Sequence, residues 1–360
     1  MDAKMIHASS YLSLARYLKI DPPKCFNQFM SSDCTNIKID SVKDFDLIKL
    51  SKIPRINLTI DFDVLIQLKN LDHLLNIRSL TIKDMFYCEY EFKLPNSINS
   101  LRIINYVANN LHFITSLLNL IYLEFDSSIL TKNDMLLFPI NLITLRILNC
   151  QLDSLRLNTS QLSCLNITNS DLSSIYVGNL PNTIITLTLN MCNLYNINIS
   201  NLVHLMHLDI SDNPDKYFEI EQYLPISITN LKMANTFINK LELLSELKNL
   251  YLIELSYRSK CDFSYLPNNL VHLLINNYKL NLSKSMNISQ LKKLENLKLL
   301  GLNNINLNGC NFSHLPNNLE YILMHDCKLS QRKQMNMSHL KNLKVISLCD
   351  EYYVQFVKLY

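Results

Sequence analysis

The chain has 360 residues, 48% of them hydrophobic and 18% charged, and its formal net charge is +3. Such a composition supports a large buried core and excludes a disordered chain, and so small and evenly spread a charge argues against nucleic acid or a membrane surface as a partner. Three glycines, Gly178, Gly301 and Gly309, are too scattered for a phosphate-cradling loop or a dinucleotide fingerprint, which sets aside most nucleotide-dependent enzymes and leaves no cofactor to expect.

Residues 1–34 are read as an N-terminal helical cap. Residues 8–20 have the pattern of an amphipathic helix that ends before Pro22 and Pro23. Ser13, Arg16 and Lys19 interrupt the apolar run, so it does not resemble a secretory leader. No stretch of about 18 uncharged apolar residues follows, so no membrane span is expected. The ten cysteines contain no Cys-x-x-Cys pair. Free thiols in a reducing, cytoplasmic setting are the expectation.

From residue 35 to 350 one short pattern recurs: two inward apolar positions, two residues apart. The pairs begin Ile56/Leu58, Leu80/Ile82, Leu101/Ile103, Leu123/Phe125 and Leu145/Ile147, and end with Ile346/Leu348. Fourteen copies are found at spacings of 20 to 27 residues, with Ile37/Ile39 as a partial fifteenth. Alternate copies open on proline, as in Leu94-Pro95-Asn96, Phe138-Pro139, Leu180-Pro181-Asn182, Leu224-Pro225, Leu266-Pro267-Asn268 and Leu315-Pro316-Asn317. Apolar residues two apart share one face of a strand. One such strand cannot bury that face alone, whereas a stack of copies forms a parallel sheet over a continuous core. Copies with proline should return by extended or 3₁₀ backbone. Residues 239–250 and 286–297 have helical spacing and are expected to form two or three turns. The fold class expected is therefore α/β: a right-handed solenoid with a curved parallel sheet on its concave side and mixed short helices, 3₁₀ turns and extended returns on its convex side. Residues 351–360, with alternating apolar positions, are assigned to a C-terminal cap strand.

The residues flanking the inward pairs form the concave face. One central residue per strand gives the column Asn57, Thr81, Arg102, Glu124, Arg146, Asn166, Thr188, Asp209, Lys232, Glu254, Leu274, Gly301, Leu323 and Ser347. Opposite charges on adjacent strands, as in Arg102–Glu124–Arg146, suit a solvated sheet. Towards the C-terminus Leu274, Leu299, Leu323 and Tyr321 would lie exposed beside His325, and apolar groups on a polar face suggest contact with a partner. The partner-binding residues predicted are therefore Arg102, Glu124, Arg146, Asp209, Lys232, Glu254, Leu274, Leu323, Tyr321 and His325. No catalytic or metal site is predicted. His204 and His207 lack a third ligand at zinc spacing, and the Asn-x-Ser/Thr tripeptides are read as accidents of an asparagine-rich chain.

The pattern resembles the leucine-rich-repeat family, whose consensus places Asn or Cys five residues after the first strand leucine. Cys150, Cys192, Asn213 and Cys327 fit, and Ser128, Ser170 and Thr236 are close. Asp61, Met85, Tyr106, Arg258, Tyr278 and Ile305 depart, which puts the regularity of those turns in question. The Leu-Pro-Asn copies look like the FNIP repeats of social amoebae and giant amoebal viruses, although the Phe-Asn pair of those repeats is missing. The Asn/Ile/Lys-rich background is similar to leucine-rich-repeat families of insect poxviruses. What the resemblance implies is a monomeric, non-catalytic scaffold that binds protein on its concave face, possessed by a virus or parasite acting on a host. The alternative is a substrate-recognition subunit of a ubiquitin ligase, docked through the N-terminal helix.

Overall fold

The structure is a computed structural model. It describes residues 34–39, 41, 50, 52–68, 71–86, 92–107, 111–130, 138–153, 157, 159–173, 180–194, 197–213, 224–236, 241–256, 262–277, 285–329, 335–350 and 353–357. The predicted N-terminal helix lies outside them.

Sixteen strands make one sheet in chain order. They are β1 (Thr35–Ile39), β2 (Ile56–Asp61), β3 (Ile77–Lys83), β4 (Ser100–Ile104), β5 (Tyr122–Asp126), β7 (Thr144–Leu148), β9 (Cys164–Thr168) and β10 (Thr186–Asn190). The sheet continues with β11 (His207–Asp209), β12 (Asn230–Met233), β13 (Leu252–Ser256), β14 (His272–Asn276), β15 (Leu299–Asn303), β16 (Tyr321–His325), β17 (Val345–Asp350) and β18 (Tyr353–Val357). Every neighbouring pair is parallel except the last, in which β18 runs antiparallel to β17. Two short strands on the return side, β6 (Ile129–Leu130) and β8 (Gln151–Leu152), pair separately. Inward leucines and isoleucines from consecutive turns, such as Leu101, Leu123, Leu145 and Leu165, are completely buried and stack into one continuous core. Each buried side chain adds ~1.5–3 kcal/mol, and only the stack supplies enough of them to offset chain entropy.

The first copy sits two residues away from its sequence alignment. Leu58 and Ile60, not Ile56 and Leu58, stand opposite Leu80 and Ile82, with a register shift between Ile56 and Asn57. Ile56, Leu58 and Ile60 are all buried on one face. A period of two offers both registers, and only pairing chooses between them. The central column therefore begins at Thr59 instead of Asn57, and the ladder position moves from Asp61 to Asp63. Ile37 and Ile39 stand opposite Leu58 and Ile60, so the partial copy is a full strand.

Asparagine, taken from sequence as background, has three fixed places. Just after ten of the strands the chain turns through a left-handed residue: Asp84, Asn105, Ser127, Asn149, Asn169, Met191, Asp212, Asn235, Asn304 and Asp326 all have φ between 50° and 59°. Asn and Asp tolerate that conformation best after glycine, which is how the solenoid turns so often with three glycines. Several of these side chains also bond along the stack, as Asn105 Nδ2 does to Asp84 Oδ1 (2.7 Å) and Asn169 Nδ2 to Asn149 Oδ1 (2.8 Å). Before each strand a second column donates to the preceding turn: Asn119 to the Asn96 carbonyl (2.8 Å), Asn141 to Leu118 (3.0 Å) and Asn318 to Glu295 (2.7 Å). Third, Asn198, Asn287, Asn311 and Asn336 each accept the amide of the serine two residues on. All four serines, Ser200, Ser289, Ser313 and Ser338, also donate their hydroxyls to the same oxygen. These Asn-x-Ser tripeptides are turn caps, and the residue between is buried at Ile199, Ile288 and Phe312.

Among the described residues the returns include the short α-helices α1 (Phe62–Leu68) and α2 (His112–Thr115). The segments expected to make two or three helical turns form 3₁₀ helices at Leu241–Glu246 and Ile288–Lys293. Shorter 3₁₀ turns at Phe263–Tyr265 and Phe312–His314 follow them in the proline copies. In these two returns the tighter 3₁₀ winding covers more length per residue.

Candidate protein-binding face

The sheet's outer face carries three side chains per strand, and its N-terminal half is internally neutralised. Glu124 on β5 is buried. Its Oε1 lies 2.8 Å from Arg102 Nε, close but not aligned as a hydrogen bond, and its Oε2 accepts from Arg146 Nη1 at 3.1 Å. Arg102 also bonds Asp126 Oδ2 at 2.9 Å, and the Tyr122 hydroxyl donates to Glu124. Burial, followed by the bond to Glu124, pushes the Tyr122 hydroxyl up to about 12. Against burial, which would raise it, bonds from Asn149, Ser127 and Arg102 hold the Asp126 carboxyl below its ordinary range. Two cations and two carboxylates thus offset one another's charge.

The C-terminal half is not balanced in this way. Asp209, Lys232 and Glu254 are consecutive in register, yet no ion pair joins them among the described residues. Burial holds the Glu254 carboxyl above its ordinary range, and Asp209 and Asp212 push the same way against Lys232 and a 2.7 Å bond from Asn276 Nδ2. Beyond them Leu274 and Leu323 flank Gly301 in register.

The expected row of exposed leucines is corrected by burial. Leu299 is 4% and Leu323 8% exposed, while Leu274, Tyr321 and His325 are half-buried. Leu299 lies between His272 and Tyr321 in register, and Leu323 has Tyr321 and His325 on its own strand face. With strands about 4.8 Å apart, large neighbours cover the aliphatic ones. Lys344 Nζ lies 5.8 Å from the Tyr321 ring centroid.

Sequence reasoning missed the rim where the strands begin. Five residues before the first inward leucine stand Leu75, Leu118, Ile140, Val203 and Ile226, each between 60% and 71% exposed. Two residues before it stand Ile121, Ile143, Ser163, Ile185, Met206, Thr229, Tyr251 and Val271. Their backbones form a continuous hydrogen-bonded line, for example Ile143 N–H to Ile121 O (3.0 Å) and Met206 N–H to Ile185 O (2.9 Å). Ile185, Met206 and Tyr251 are 40–45% exposed. The line then turns charged, with Glu320 bridging Lys298 (3.4 Å) and Lys344 (2.5 Å). Single exposed apolar residues are ordinary, but an aligned row of them marks a contact surface. The signal was present in the sequence as apolar residues at a fixed offset that the inward pattern does not use.

Burial drives the Cys150 thiol up to about 11 and the Cys192 thiol to about 12, the reverse of an activated nucleophile. His204 is exposed and His207 half-buried, and among the described residues no group of three His, Cys, Asp or Glu is placed to hold a metal. Among the same residues no helix is long and apolar enough to cross a membrane.

The parallel strands stacked in chain order, the inward leucine pairs and the ladder that follows many of the strands have the fold of a leucine-rich-repeat solenoid. Its ladder is polar at Ser128, Ser170, Asn213 and Thr236, all buried. At Met85, Tyr106 and Ile305 it is apolar and equally buried, so those turns stay regular. Solved structures similar to this chain include an internalin (inlF) of Listeria monocytogenes, at 16% identity over 79% of this chain and 83% of that one, with a TM-score of 0.48. The functional domain of InlJ from the same organism, which includes a cysteine ladder, is similar at 16% identity over 87% and 67%, with a TM-score of 0.47. A circular leucine-rich-repeat protein, CroV588, is similar at 18% identity over 82% of this chain and 43% of that one, also at 0.47. No protein-family profile and no curated protein matches the chain, so the likeness to FNIP and poxvirus repeats rests on the residues alone.

Proposed function

We propose that the chain is a non-catalytic scaffold that binds another protein across the concave face and the rim where the strands begin. The exposed residues Leu118, Ile140, Val203 and Ile226, at one position of their turns with Ser160 and Asn182 between the second and third, carry this reading beside Ile185, Met206 and Tyr251. Water-exposed apolar side chains on a hydrogen-bonded, repeat-locked backbone lose little freedom on docking, which favours affinity. The partner engages Asp209, Lys232 and Glu254 more readily than Arg102, Glu124 and Arg146, whose charges are already paired. Leu274, Tyr321 and His325 border the same face. The test compares the full chain with the variant L118S/I140S/M206S/Y251S on a protein array. Partners should be lost at ~10-fold or more, since each hot-spot side chain contributes ~1–2 kcal/mol, while the circular-dichroism melt is unchanged. Retention of every partner by the variant would refute the reading.

A further inference from the structure

Two stretches of the concave face, β4–β7 and β11–β13, differ in charge balance, and that difference names the chemistry of the occupant. In the first stretch Arg102 and Arg146 face Glu124 and Asp126, two against two, and contacts of 2.8–3.1 Å join them. Around β11–β13 Asp209, Asp212 and Glu254 stand near Lys232, three against one, with no ion pair joining them among the described residues. All four are half-buried. Covering these carboxylates with an apolar or acidic surface would strand them without compensation, whereas a cation would repay their desolvation. The same strands carry the exposed rim: Ile185 leads into β10, Met206 into β11 and Tyr251 into β13, with Ile226 beside them.

Building on the protein-binding reading above, we infer that β10–β13 receive a basic amphipathic segment of the partner. Its cationic side chains lie over Asp209, Asp212 and Glu254, and its apolar side chains lie along Ile185, Met206, Ile226 and Tyr251. Four strands span ~15 Å, the length of ~10 helical residues.

The probe is a phage-displayed library of random 16-residue peptides, panned on the immobilised full chain. Enriched peptides should carry lysine or arginine and apolar residues at helical spacing. One of them, made synthetically, should bind at least about tenfold more weakly to D209N/E254Q and to M206S/Y251S. Asn at 209 keeps an acceptor for the Ser211 amide and Gln at 254 keeps one for Asn276, so both contacts of the fold survive. Should a variant melt early, salt decides instead: raising it to about 0.5 M should weaken wild-type binding tenfold, and no salt response overturns the inference. Enrichment of acidic or uncharged peptides, or full binding by D209N/E254Q with loss in M206S/Y251S, overturns the basic segment and leaves the scaffold standing. No enrichment at all overturns both.

Discussion

Replacing Asn213 by leucine tests what holds consecutive turns in register. Asn213 is fully buried. Its Oδ1 accepts from the amides of Cys192 (3.0 Å) and Leu194 (3.2 Å), one turn earlier, and its Nδ2 donates to the carbonyls of Leu189 (2.7 Å), Ile210 (2.8 Å) and Ser211 (3.1 Å). Leucine has the same branched shape and number of heavy atoms but bulkier ends, so no cavity forms. Two amides and up to three carbonyls are instead left without partners where water does not reach. At ~1–3 kcal/mol for each stranded group, partly offset by the gain in apolar surface, the cost is ~3–5 kcal/mol. The loss should be local, because each turn touches only its neighbours. Hydrogen exchange by mass spectrometry should show residues 189–213 opening far faster in the variant, and the urea midpoint should fall. Asn213→Ser should recover part of the loss, since Ser128 and Ser170 serve in the same column by accepting the amides of Tyr106 and Cys150. Unchanged protection of Cys192 and Leu194 in Asn213→Leu would refute the ladder as the source of register.

Four further outcomes follow from the structure. Burial, assisted by the charge of Lys298, holds the His272 ring neutral down to about pH 4, whereas the unfolded chain takes up its proton near 6.5. The stability this neutral ring provides is complete above pH 6.5 and falls by ~3 kcal/mol as pH drops to about 4; urea titrations should show that slope, and His272→Leu should flatten it. Asn287→Asp should leave the thermal midpoint unchanged, because Asp262 already caps the equivalent turn through the Ser264 amide, while Asn287→Ala should cost ~1 kcal/mol. Asn149, at φ 54°, should lose ~1 kcal/mol or more as alanine and recover most of the conformational part as glycine, measured by denaturant midpoint. Tyr122 should show no phenolate absorbance below about pH 11 in the folded protein and normal titration once unfolded.

The inward pairs were legible in the sequence because burial repeats them: a leucine must recur wherever the chain passes the core. The concave column was legible for the same reason, since a residue between two inward ones must face outward, and Arg102, Glu124 and Arg146 do stand side by side. Where the pattern alternated too long, as at Ile56, Leu58 and Ile60, it could not choose its register. Pairing with β3 chose it. Exposure was also beyond the sequence, because it depends on what stands on the next strand: Leu299 is covered by His272 and Tyr321, more than 20 residues away in the chain. The same holds for asparagine. A count cannot distinguish Asn149 turning the backbone through the left-handed region from Asn213 bonding two turns together or Asn287 capping a return. Local sequence determined which side of the backbone each residue takes, and stacking at about 4.8 Å decided which side chains meet, which are covered and which stay in water.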